Sequence, residues 1–118
     1  METIEVASCV RGHHVYDRIW TPTLGEELQC VTEDSNNNDP YAVAVMKRDD
    51  IVGHVPRRIS AACSLFLRRG GVIDCIITGS RRFSADLLQG GLEVPCTLKL
   101  KGEPKDVKKS DKTFHTLS

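Results

Sequence analysis

Tyr41-Ala42-Val43-Ala44-Val45-Met46-Lys47-Arg48-Asp49-Asp50-Ile51-Val52-Gly53-His54-Val55-Pro56 is the stretch that decides the fold. Its first half is rich in β-branched residues, as strands are. Asp49-Asp50 marks a tight turn, and Ile51 to Val55 is a second short apolar run. Two such runs, so closely spaced, read as a β-hairpin. Pro56 then opens a helix, since its fixed φ suits the first turn. Ile59, Ala62, Cys63, Phe66 and Leu67 recur at the offsets of one helical face. Gly70-Gly71 ends that helix after Arg68-Arg69, cations suited to the negative end of its dipole.

Strand patterns flank this unit on both sides. Residues 4–16 read as a strand region in which Ile4, Val6, Ser8 and Val10 share a face, with Gly12 marking a bulge or a close backbone approach. Residues 27–33 form a second strand with Leu28 and Cys30 on one side. Between it and the hairpin, Asp34-Ser35-Asn36-Asn37-Asn38-Asp39-Pro40 is a run of turn formers. Beyond the helix, residues 72–78 are a nearly continuous apolar strand, and residues 93–100 are the last one. The loop 79–91 has room for a helical turn at 84–88, capped by Ser84. Strands with a single lid helix predict a mainly β fold, a small OB-like, partly open β-barrel with one main helix. The barrel is assigned to residues 1–102. Residues 103–118, rich in lysine and poor in apolar groups, are expected to be a disordered basic tail.

The chain is 118 residues long, 40% apolar and 27% charged. Those values fit one globular domain and exclude a multi-domain enzyme or a repeat array. No apolar run is long enough to span a bilayer as a helix, and residues 1–5 lack the character of a secretory signal. Formal net charge is zero, but the halves differ. Residues 1–59 carry six basic and ten acidic side chains, and residues 60–118 carry ten and six. A basic half can form a nucleic-acid patch or a solvated surface. The five cysteines, at 9, 30, 63, 75 and 96, lack close-spaced pairs. That spacing argues against a zinc site and for reduced, mostly buried thiols in a nuclear or cytoplasmic setting. No cofactor is expected, and the chain is expected to be a monomer.

Catalysis needs a constellation, and the sequence has none: no nucleophile elbow, zinc-protease motif, phosphate-cradling loop or dinucleotide fingerprint. The expectation is a binding module rather than an enzyme. Arginine pairs stand at 57–58, 68–69 and 81–82. Arg57-Arg58 sits at a helix start, where backbone N–H groups also attract anions. The alternative is ordinary surface charge. Trp20, beside Arg18, either stacks on a base from an exposed loop or plugs the barrel mouth. Asn36, Asn38, Asp39 and His54 are polar groups near strand ends. They either read a nucleotide or, for the Asx residues, cap their own turn.

Taken together, Gly25 to Glu33, Asn36 to Val45 and Val52-Gly53-His54-Val55-Pro56-Arg57 resemble a HIRAN domain. The similarity runs over about residues 5–102 and includes the Asn-x-x-Asp-x-x-Ala-Val motif and the following Val-Gly-His. It implies a small OB-like barrel that captures the 3′-hydroxyl end of single-stranded DNA in repair and fork processing. By matched position, Asp39 is the hydroxyl ligand, Asn36 and His54 flank the nucleotide, Arg18 contacts the chain beyond it, and Arg57 lies near a phosphate. Ile19, Asn38 and Leu92 stand where aromatics are expected in the family, so the base sandwich is depleted. The alternative partner is a protein, bound on the same barrel after loss of DNA-end binding.

Overall fold

A computed structural model describes residues 1–12, 20–34, 39–80, 82–83 and 92–117. The expected hairpin is present as β3 (Val43–Lys47) and β4 (Asp50–His54), preceded by β1 (Glu2–Arg11) and β2 (Glu27–Thr32). Arg48 turns the hairpin at φ 57°, and the register shifts at Val45/Met46. Such a bulge bends the strand and helps a sheet curl. β2 alternates as its sequence dictates, with Leu28 and Cys30 buried and their neighbours exposed. After α1 (Arg57–Arg68) come β5 (Val72–Ile77), the two-residue β6 (Arg82–Phe83), β7 (Leu92–Gly102) and α2 (Pro104–Leu117). The helical turn expected at 84–88 lies outside the described residues.

The strands run in the order β1-β4-β3-β2-β5-β7, and β7 pairs back with β1. The sequence reading has the barrel partly open, whereas these six antiparallel strands form a closed ring. The joints are unequal. β1 pairs with β7 along the whole length of β1, from Glu2↔Gly102 to Arg11↔Glu93. β1 and β4 meet only at Arg11↔His54. Gly53 makes even that approach possible. A Cβ there would sit 2.7 Å from the Arg11 carbonyl oxygen and would run into Val10 Cγ1.

The core fills the ring and the space beneath α1. Val10, Val43, Val45, Val52, Val94, Leu98 and Leu100 are essentially inaccessible. Ile59, Cys63 and Phe66 press the helix face onto the sheet. The Phe66 ring occupies ground where a Cβ on Gly71 or Gly102 would stand, so glycine is required at both positions. Four cysteines, at 30, 63, 75 and 96, are buried as expected, and Cys9 is half-buried. Burial pushes the Cys63 thiol up to about 12. It raises Cys30 further, and Cys96 is raised by contact with the Cys75 thiol and by burial. A thiol so held is a small hydrophobe, not a nucleophile.

Residues 104–117 correct the expectation of a disordered tail. They form α2, which packs against α1, β1 and β7. Val107 and Phe114, seven residues apart, lie on one helical face and enter the core. Asp106 in its first turn suits the positive end of the helix dipole and also reaches Arg69 Nη1 at 3.6 Å.

Candidate functional site

The narrow joint between β1 and β4 is where the polar residues gather. Arg11 and Gly12 reach it from the end of β1, His54 from the end of β4, and Arg57 from the first turn of α1. Asp39, Ala42, Val43 and Val55 complete the lining of a cavity of about 240 Å³. The chain folds this way because Pro56, extended at φ −56° and ψ 140°, turns it out of β4 and into α1. Arg57 is thereby set beside the strand end that bears His54. No acidic side chain occupies the first turn of α1. The first N–H groups of a helix lack intrahelical acceptors, so this end carries partial positive charge.

Asp39 is held from several sides. Its Oδ1 accepts the Tyr41 backbone N–H at 2.9 Å, and its carbonyl accepts that of Ala42 at 3.2 Å. Its Oδ2 lies 3.8 Å from Arg57 Nε, a long ion pair. The Asx turn expected as one alternative is therefore present at Asp39. Yet the carboxylate still lines the cavity. His54 Nε2 and Glu33 Oε2 are 2.6 Å apart, both half-buried. Arg11 Nη1 approaches Glu93 Oε2 at 3.4 Å, and the Cys9 thiol donates to the same oxygen at 3.1 Å. Each basic side chain at the rim is thus paired with a carboxylate: Arg11 with Glu93, His54 with Glu33 and Arg57 with Asp39. Arg57 is the most accessible of them, with 63% of its side chain exposed.

Of the residues singled out from the sequence, the structure brings Asp39, His54 and Arg57 together. Arg18, Asn36 and Asn38 lie outside the described residues. Trp20 corrects the expectation of an exposed stacking platform. It is 2% exposed, and its indole Nε1 donates to Glu26 Oε1 at 3.0 Å. An indole so enclosed offers no face to a base, and the plug reading holds. Burial alone pushes the Glu26 carboxyl up, but hydrogen bonds from Lys47, Trp20 and the Thr23 backbone hold it below its ordinary value.

Three residues near the cavity escape sequence reasoning. Arg11 sits far from the hairpin in sequence, and only the closed ring carries it there. Glu33 appears as the acidic end of β2, with nothing local to reveal its bond to His54. Tyr41 reads as the start of a strand, but it precedes β3 and is 55% exposed, anchored through its backbone by Asp39. Two of the arginine pairs divide between different partners, while Arg81 of the third lies outside the described residues. Arg57 lines this cavity while Arg58 lines another, and Arg68 bonds Asp34 at 2.5 Å while Arg69 turns to Asp106. No group of three or more metal-ligating side chains converges among the described residues.

Comparison with solved structures places the fold. The crystal structure of the HIRAN domain of human HLTF superposes with a TM-score of 0.73 at 16% identity, covering 97% of this chain and 88% of that one. The NMR structure of the HLTF HIRAN domain gives 0.64 at 15% identity, covering 97% and 92%. A protein from Lactobacillus plantarum gives 0.57 at 19% identity, covering 86% and 100%. No curated protein matches significantly in sequence. The family model of the HIRAN domain matches residues 12–101, a span that runs from the cavity rim at Gly12 through α1 to the end of the last strand, and the chain accordingly belongs to the HIRAN family.

Proposed function

We propose that this domain binds nucleic acid without catalysing a reaction, taking the 3′-hydroxyl end of single-stranded DNA into the cavity between β1 and β4, in DNA repair or replication-fork processing. The observation that carries the reading is the convergence of Asp39, His54, Arg57 and Arg11 on one small cavity at the start of a helix. The chemistry is an exchange of partners. Arg57 leaves its long contact with Asp39 and turns to a backbone phosphate, a bond favoured by the guanidinium fork and by the helix terminus. Asp39 then accepts a hydrogen bond from the terminal sugar hydroxyl. A 3′-phosphate meets the same carboxylate as a like charge and is disfavoured. Tyr41, exposed beside Asp39, takes the base-stacking role that Trp20 cannot.

Fluorescence anisotropy with short labelled single strands, ending in a 3′-hydroxyl or a 3′-phosphate, tests this at low and moderate salt. Expected is preference for the hydroxyl and affinity that falls as salt rises, because bound phosphates release counterions. Asp39→Asn keeps an acceptor for the Tyr41 N–H, so it leaves the turn intact and removes the preference. Arg57→Ala weakens both strands and lowers the salt slope by about one. Tyr41→Ala weakens binding by roughly 1–3 kcal/mol. Binding indifferent to salt and to Arg57→Ala, or no binding at all, overturns the proposal.

A further inference from the structure

A second cavity lies apart from the first and has different chemistry. α1 and α2 run side by side and leave a groove of about 330 Å³ between them. Its α1 wall presents Ala61, Ala62 and Leu65 above the ring of Phe66, and its α2 wall presents Ser110 and Thr113. Leu65 is 46% exposed, although the opposite face of the same helix is buried in the core. Around this apolar floor stand Arg58, Arg69 and Lys109, and a polar recess with Lys105 continues it past Asp106. Asp106 is the only carboxylate in either lining and is engaged by Arg69. Four cations therefore face one paired acid in a chain whose net charge is zero.

We propose that this groove docks an acidic amphipathic helix of a partner protein. The walls are helices, with no open strand edge to pair with an extended peptide, so a third helix laid along them is the fitting occupant. Ala61 and Ala62 permit its close approach. Its apolar residues, spaced i, i+3 or i+4 and i+7, cover Leu65 and the Phe66 edge, while its Asp and Glu side chains meet Arg58, Lys109 and Lys105. A nucleic acid fits less well. The floor carries methyl groups, and Phe66 is only 2% exposed, so no aromatic face is open to a base. The groove shares no lining residue with the cavity between β1 and β4.

The test is selection of a displayed library of helical peptides on the whole chain, followed by anisotropy of the enriched peptides against wild type, Leu65→Glu and Lys109→Glu. Enrichment of peptides with Leu or Phe at helical spacing flanked by Asp or Glu is expected. Their affinity falls tenfold or more in Leu65→Glu and severalfold in Lys109→Glu, an exposed position where folding is not at stake. A labelled single strand keeps its wild-type affinity for both variants, which separates this site from the cavity assigned to DNA. Enrichment of no such class, or of peptides that bind the variants unchanged, overturns the proposal. A single strand that loses affinity in Lys109→Glu makes the groove part of a nucleic-acid track, and also overturns it.

Discussion

Glu26 shows how much one side chain can hold in place. Its carboxylate accepts from Trp20 Nε1, from the Thr23 backbone and from Lys47 Nζ, the last at 3.0 Å. These donors stabilise the charged form in the folded chain and hold its affinity for protons below the unfolded value. Its contribution is present above the ordinary value of 4.5 and is lost as pH falls through the lower folded value. Trp20 is the single tryptophan, so its emission reports the loss directly. Acid titration is expected to red-shift that emission below the ordinary carboxylate range. Glu26→Gln keeps an acceptor for the indole and removes the dependence; an unchanged titration in that variant refutes the assignment. The same residue explains why the sequence misleads about Trp20. Composition places an aromatic near a cation, but only the Glu26 partner, six residues on, makes burial of the polar indole favourable.

Among the elements, the hairpin and α1 were legible because their signals are dense. β3 and β4 flank a short turn, and α1 repeats apolar residues on every turn of one face. α2 was illegible because, among its described side chains, Val107 and Phe114 are the only apolar ones buried, with lysines filling the surface between. Its order comes from packing against α1, β1 and β7, not from its own pattern. Phe114→Ala is expected to destabilise the fold by about 3 kcal/mol in urea denaturation, since Phe114 is buried with the core. A change under about 0.5 kcal/mol, the usual scale of surface substitutions, means that α2 is dispensable. Gly53 belongs to the joint between β4 and β1. Gly53→Ala forces a methyl group against the Arg11 carbonyl and the Val10 side chain. Overpacking of this kind costs about 1–3 kcal/mol. The expected signature is a lower denaturation midpoint together with weakened oligonucleotide binding. Unaltered midpoint and binding would show that the strands approach each other less closely. The site was legible to the extent that its residues lie within one motif, as Asp39, His54 and Arg57 do. Arg11 and Glu93 were not, since ring closure alone brings them there.

At the scale of the whole molecule, four thiols lie buried in the interior, and burial helps to raise three of them, Cys30, Cys63 and Cys96, above the ordinary thiol value. Reaction with a thiol-specific disulfide reagent in native buffer is therefore expected to modify Cys9 at most, and all five cysteines only after denaturation. Rapid modification of more than one in the native chain contradicts the buried assignment. The ring that encloses them is joined firmly everywhere except between Arg11 and His54. A ring with one short joint is expected to give there first, like a sprung clip. Native-state hydrogen exchange is expected to find the fastest strand amides beside that joint, exchanging through small openings that leave the rest of the barrel intact. Arg11 and Gly12 stand on one side of the gap, His54 and Arg57 on the other, so any occupant of the cavity bridges it as a clasp. Ligand binding should then slow deuterium uptake most at the gap and least along the ten-pair β1–β7 joint.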